Sequence, residues 1–274
     1  MKHSRPWPNL LDQVSMQIGQ NSFFVQGPGG NTSWKQDDDL WVKASGYQLK
    51  DAVSKEIFCQ VKIHNPLVNV NSDGKIPSIE STLHAIRPEK FVVHVHSINT
   101  ISLGCRREIE SAARKFLTDY QISYLDYYRP GKDLAESIQS NDYRINVRGL
   151  LLANHGLVLW GDDILELWNL LVEIEARLDQ LFPVNNDLLD KIKSVTLRNY
   201  LNEKHLTPDH AVFDSAMSQT YLPETLDWLI ELRNALEISV AKIPRVEDIK
   251  FISNEESSFL QQWEPEKLRQ KMNL

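Results

Sequence analysis

The sequence predicts an α/β protein: a layered α/β/α arrangement around a central, largely antiparallel sheet, with a helical C-terminal extension. Three observations carry this. Short runs rich in β-branched and aromatic residues recur up to about residue 182, among them LWVKASG (40–46), IFCQVKI (57–63) and FVVHVHS (91–97). Stretches of helical periodicity separate them. Beyond FPVNND (182–187) the patterns are helical only. Two units are therefore expected, 1–182 and 183–274.

In chain order, Leu10, Leu11, Val14 and Ile18 sit at helical spacing and predict an opening amphipathic helix over 8–20. FFVQGPGGNTSWK reads as strand, glycine-rich loop, strand. In IPSIESTLHAIRP, Ser78 is the expected N-cap of a short helix that stops before Pro88. FVVHVHS is a strand, with a helix expected over 98–104. ISYLDYY (122–128) is a further strand and GKDLAESIQ (131–139) a helix. GLLLANHGLVLWG (149–161) reads as two strands broken at Asn154-His155-Gly156. From Asp162, a long helix repeats Ile164, Leu167, Trp168, Leu171, Ile174, Leu178 and Leu181. SVTLRNYLNEKHL and PETLDWLIELRNALEISVAK are the main helical pieces of the extension. The last thirty residues are polar and punctuated, like an appendage that docks.

Hydrophobic residues make up 42% of the 274, enough to fill a sizeable core. The net charge of −7 excludes a broad nucleic-acid surface, which needs local positive charge. No apolar run approaches the roughly 18 residues of a membrane span. The opening MKHSRPWPNLLDQ is too polar for a secretory segment, and Cys59 and Cys105 form no CxxC pair. A reducing, cytoplasmic setting is expected.

Chemistry concentrates at the histidines. Residues i and i+2 of a strand share a face, so His94 and His96 project together, roughly 7 Å apart, while Val93 and Val95 pack on the other side. Two imidazoles on a rigid strand suit a zinc site that takes nitrogen ligands. His155 is the third candidate, because NHG interrupts two apolar runs where a polar break needs a reason. The residues alone fit a second reading equally: hydrogen-bonded core histidines and a turn histidine.

GGNTS (29–33), KASG (43–46), IPSIESTLH (76–84), HVH (94–96) and NHGLV (154–158) come in the order and spacing of the class II aldolase/adducin family, which the chain resembles over roughly residues 8–182. SYLDYYRPGKDLAESI (123–138) and LTPDHAVF (206–213) resemble more particularly the aldolase half of bifunctional rhamnulose-1-phosphate aldolase/alcohol dehydrogenases. The sequence shows no GxGxxG after a strand, so a stand-alone aldolase-like domain is expected.

The resemblance implies one Zn2+ per subunit held by His94, His96 and His155. It implies that Glu80 is the base removing the proton next to the ketone of dihydroxyacetone phosphate, and that it can ligate the metal when substrate is absent. A base beside a cation needs a raised pKa, which partial burial would supply. A phosphate cradle is implied around Gly30, Asn31 and Thr32, with Ser45, Gly46 and Ser78 adding donors. Ile79 departs from the second serine of fuculose-phosphate enzymes and weakens that cradle.

A tyrosine from a neighbouring subunit serves as proton donor in the family. Tyr124, Tyr127 and Tyr128 lie in the matching region, and Tyr127 is preferred. A homo-oligomer, with a tetramer favoured, follows from that. The implied activity is aldol cleavage of a ketose 1-phosphate, with sugar or sugar phosphate as the small-molecule partner. Dehydratase, decarboxylase and epimerase activities are alternatives, although the epimerase branch carries aspartate where this chain has Glu80. A metal-free adducin-like assembly module is the alternative of another class. LTPDH is expected to reach toward the substrate, with His210 as a loop residue.

Overall fold

The computed structural model describes residues 5–141, 147–192, 203–217 and 226–274. Eight strands form one sheet: Asn31–Gln36 (β1), Asp39–Lys43 (β2), Phe58–Lys62 (β3), Asn65–Asn69 (β4), Phe91–Val95 (β5), Ile122–Leu125 (β6), Gly149–Leu152 (β7) and Gly156–Gly161 (β8). Their order is β4-β3-β2-β1-β5-β8-β7-β6. Every pair is antiparallel except β6 with β7, which is parallel. The predicted largely antiparallel sheet is the one observed.

Helices cover both faces. On one side, Val93 and Val95 of β5 and Leu157 and Leu159 of β8 pack with Leu11, Val14 and Ile18 of Asn9–Gly19 (α1) and Leu167, Leu171 and Ile174 of Ile164–Leu181 (α6). On the other, Val92, Val158 and Leu150 pack with Leu83 of Ser81–Ala85 (α2) and Leu134 and Ile138 of Lys132–Ser140 (α5). Alternation along β5 thus sends its valines to opposite layers. It leaves His94 on the α2 side, at the end of the strand. Asp163 caps α6, its carboxylate accepting from Leu165 N at 2.7 Å and Glu166 N at 3.3 Å.

The helix Ile98–Gly104 (α3) follows β5, and Ser111–Asp119 (α4) packs beside β6. The later helices are Asn186–Ile192 (α7), Pro208–Met217 (α8), Asp227–Ala241 (α9), Asn254–Gln262 (α10) and Glu264–Asn273 (α11). Phe213, Trp228, Leu232 and Leu236 build an apolar cluster among these helices that also takes in Ile101 and Cys105 around α3. Most of SVTLRNYLNEKHL and the start of PETLDWLIELRNALEISVAK lie outside the described residues. Among the described residues, no helix is long and apolar enough to cross a membrane.

Three local expectations are corrected. FFVQ is a turn, in which Phe24 N and Val25 N both donate to Asn21 O at 2.9 and 3.3 Å. Its apolar side chains are buried by packing, Phe24 edge-on to Trp168 at 5.8 Å, and not by strand pairing. Ser78 lies in the turn before α2, its hydroxyl accepting from Glu80 N at 3.2 Å, and Glu80 itself stands at the cap position. His210 is helical, within α8, and its Nδ1 accepts from Leu206 N at 3.2 Å.

Candidate metal centre

His94 is paired across the sheet with Asn31 of β1 on one side and Val158 of β8 on the other. That register sets the Asn31 side chain beside the imidazole. Asn31 Nδ2 donates to Glu80 Oε2 at 2.7 Å, so the carboxylate is drawn from the α2 cap onto the sheet. The amide is itself oriented. His84 Nε2 donates to Asn31 Oδ1, and His84 Nδ1 accepts from Ser33 Oγ at 2.6 Å. Burial holds His84 well below the usual imidazole range, so the ring is neutral and its single N–H faces Asn31.

His155 arrives from the β7–β8 turn. Asn154 takes a positive φ of 56°, and its Nδ2 donates to Leu206 O at 2.9 Å and Lys250 O at 2.7 Å. Gly156 has φ 151°, and a Cβ there would lie 2.2 Å from Val95 O. The polar break is therefore what lets the turn close onto β5.

Three imidazoles and one carboxylate converge. His94 Nε2 lies 3.0 Å from His96 Nε2, 3.4 Å from His155 Nε2 and 3.3 Å from Glu80 Oε1; Glu80 Oε1 is 3.1 Å from His155 Nε2. All four ligand atoms lie within 4.8 Å of one another, and all four residues are buried. Carbonyl and carboxylate oxygens only accept. His94 Nδ1 therefore donates to Leu157 O at 3.0 Å and His96 Nδ1 to Asp209 Oδ2 at 2.6 Å. The two Nε2 atoms then face the same point, and Glu80 Oε1 is buried beside them with no hydrogen-bond partner among the described residues.

Such a set favours positive charge at its centre. Four donors placed tetrahedrally at 2.0–2.1 Å from a cation stand about 3.3–3.4 Å apart. The spacings here fit a divalent metal. Burial alone would push the Glu80 carboxyl up, but the neighbouring imidazoles of His94 and His155 outweigh it and hold the group well below the usual range. That corrects the expected raised pKa: burial is complete, yet the neighbours are imidazoles. Burial pushes His155 down to about 4, against the pull of Glu80.

A cavity of about 30 Å3 adjoins the cluster. Of the expected cradle, Gly30, Asn31, Ser45, Gly46 and Ser78 line it. Thr32 does not; strand alternation turns it to the α1 side, where its hydroxyl lies 2.7 Å from Ser15 Oγ. Tyr127 does not line it either. Its hydroxyl donates to Glu256 Oε1 at 3.2 Å, and burial and that carboxylate raise its pKa.

The wall also holds four residues not foreseen as site groups: Lys43, Asp209, Glu266 and Arg269. Lys43 Nζ donates to Pro28 O and Tyr47 O at 3.0 and 2.9 Å, and burial lowers its pKa to about 8. It stands inside the KASG motif, the one available signal. Asp209 stands in LTPDH, which was expected near the substrate. Arg269 and Glu266 come from α11 and carry no motif.

The model of the class II aldolase and adducin N-terminal domain matches residues 11–181, the segment that carries the sheet and all four converging donors. The chain belongs to this family. Three relatives give the range of activities. YuxG of Bacillus subtilis, an uncharacterised oxidoreductase, is 29% identical over 177 residues, which are 53% of this chain but only 25% of YuxG. Methylthioribulose-1-phosphate dehydratase of Cronobacter sakazakii is 31% identical over 159 residues, 50% of this chain and 78% of the dehydratase. The L-fuculose phosphate aldolase of Methanocaldococcus jannaschii is 29% identical over 171 residues, 57% of this chain and 84% of that enzyme. Among solved structures, the N-terminal class II aldolase domain of a Thermoplasma acidophilum protein superposes with a TM-score of 0.55 at 24% identity, covering 66% of this chain and 97% of that domain. It shares the fold.

Proposed function

We propose that this class II aldolase family member is a zinc-dependent enzyme that cleaves a ketose 1-phosphate reversibly to dihydroxyacetone phosphate and an aldehyde. The observation that supports it most is a carboxylate fixed by its own amide clamp against three convergent imidazoles. His94, His96 and His155 would hold the cation, with Glu80 as fourth ligand until substrate arrives. When bound, the metal supplies Lewis-acid stabilisation of negative charge developing on substrate oxygens.

The chain's own residues do the rest. Glu80 takes the proton from the carbon next to the carbonyl through Oε1, the oxygen that Asn31 leaves uncommitted. The backbone at Gly30 and Gly46 and the hydroxyls of Ser45 and Ser78 cradle the phosphate. Tyr127 engages Glu256 within its own subunit, so a donor role for it belongs to the cavity of a neighbouring subunit in the proposed tetramer.

The second reading is a sugar-phosphate dehydratase, favoured by the similarity to the methylthioribulose-1-phosphate enzyme. Both readings use Glu80 for proton transfer at the carbon next to the carbonyl. The aldolase takes that proton from dihydroxyacetone phosphate in condensation and returns it after C–C cleavage, whereas the dehydratase removes it before a β-hydroxyl leaves as water. Metal content and solvent-proton exchange into dihydroxyacetone phosphate test the proposal together. Stoichiometric zinc with exchange supports it, zinc without exchange moves the reaction to the dehydratase reading, and a protein that takes up no zinc overturns both.

A further inference from the structure

The last helix, α11, forms part of the cavity wall through Pro265, Glu266 and Arg269. Its seating is unusual. The only buried residue of α11 is Glu266, while Leu268 and Met272 are 41% exposed and Leu274 is 51% exposed. Apolar burial therefore contributes little to holding it. Arg269 contributes more: Nη1 donates to Asp209 Oδ1 at 2.7 Å, tying α11 to α8, while Nε donates to Glu266 Oε2 at 2.6 Å within α11. One guanidinium thus stands between two buried carboxylates. Asp209 is committed through its other oxygen to His96, which leaves Glu266 as the exchangeable partner.

Space gives the second constraint. The cavity is narrow, about 30 Å3, and α11 forms part of its wall. Meanwhile the cradle of Gly30, Ser45, Gly46 and Ser78 offers only neutral donors, and the ammonium of Lys43 is already bonded to two carbonyls.

We propose that Arg269 is the specificity-determining cation of this site and that Glu266 holds the place of a substrate oxyanion upon it. Helix α11 then carries both the cation and its internal stand-in, and a phosphate or carboxylate group of the substrate displaces Glu266 from the guanidinium. This rests on the reading of the cavity as a substrate site, but its test does not need turnover.

The test uses the full, zinc-loaded chain, with inorganic phosphate and acetate as probes measured by calorimetry. Glu266→Gln removes the competing charge and should tighten binding at least fivefold. Arg269→Met should weaken it at least tenfold. The phosphate and acetate arms tell which oxyanion the site takes.

Equal or weaker binding in Glu266→Gln overturns the proposal, as does phosphate binding indifferent to Arg269→Met, the result expected of an anion held by the metal alone. Should Arg269→Met fail to fold, the Glu266→Gln arm decides by itself. If the opposite-sign pattern appears but dihydroxyacetone phosphate shows no proton exchange, Arg269 stands and the aldolase reading falls.

Discussion

Asp209 Oδ2 lies 2.6 Å from His96 Nδ1, which sets a carboxylate of α8 behind an imidazole just past the end of β5, 113 residues away in sequence. Both groups are buried, and Arg269 steadies the other oxygen of Asp209. A carboxylate in that position fixes the tautomer and the ring angle and makes Nε2 a better donor. Asp209→Asn keeps the shape and loses the charge. Zinc affinity measured by chelator competition should fall about 10- to 100-fold. Unchanged affinity would mean that His96 is oriented by strand packing alone.

Glu80→Gln separates holding the metal from using it. The clamp from Asn31 Nδ2 requires an acceptor, so the new amide turns its oxygen there and its NH2 toward the imidazoles. The fourth donor is lost and three imidazoles remain. Zinc should stay bound, more weakly, whereas proton exchange into dihydroxyacetone phosphate should drop roughly 10²- to 10⁴-fold, the usual contribution of a positioned base. Exchange at the wild-type rate would remove Glu80 from the mechanism.

Gly156→Ala tests the turn that delivers His155. A Cβ there meets the Val95 carbonyl oxygen at 2.2 Å, and the backbone at φ 151° disfavours any side chain. Val95 is flanked by His94 and His96, so relief of the clash has to move the metal cluster. Thermal unfolding should show a loss of more than about 2 kcal/mol, with weaker zinc binding in parallel. A variant of normal stability and normal zinc affinity would show that the turn has another way to close.

How much of this could be read from the chain depends on the range of the interaction. His94 and His96 were legible because strand alternation is local, and His155 because a polar break between two apolar strands is local too. The role of the Asn31 side chain was not. It arises from the pairing of Asn31 with His94, a register that no single segment states. Thr32 was misplaced for a related reason: a motif names neighbours in sequence, while a strand sends them to opposite faces. Asp209, Glu266 and Arg269 act across the whole length of the chain. Helix α11 has no apolar stripe to announce a buried face, because the face it buries is a charged one.

Glu175 gives a pH dependence outside the metal cluster. It lies within α6, fully enclosed, where Ser97 Oγ donates to Oε1 at 2.5 Å and Oε2 has no partner among the described residues. Burial raises its pKa from 4.5 to about 7, against the lowering effect of the Ser97 hydrogen bond. The sign follows. Between those two values the folded chain keeps a proton that the unfolded chain has lost, so stability falls as pH rises through this window. The loss is complete above about 7 and amounts to about 3 kcal/mol at roughly 1.4 kcal/mol per pKa unit. Glu175→Gln can keep the Ser97 bond without the charge. Urea unfolding of the variant should lack this contribution to the slope between pH 5 and 7, and at pH 8 the variant should be the more stable protein. Parallel pH profiles for the two would show that Glu175 is already neutralised by a different partner.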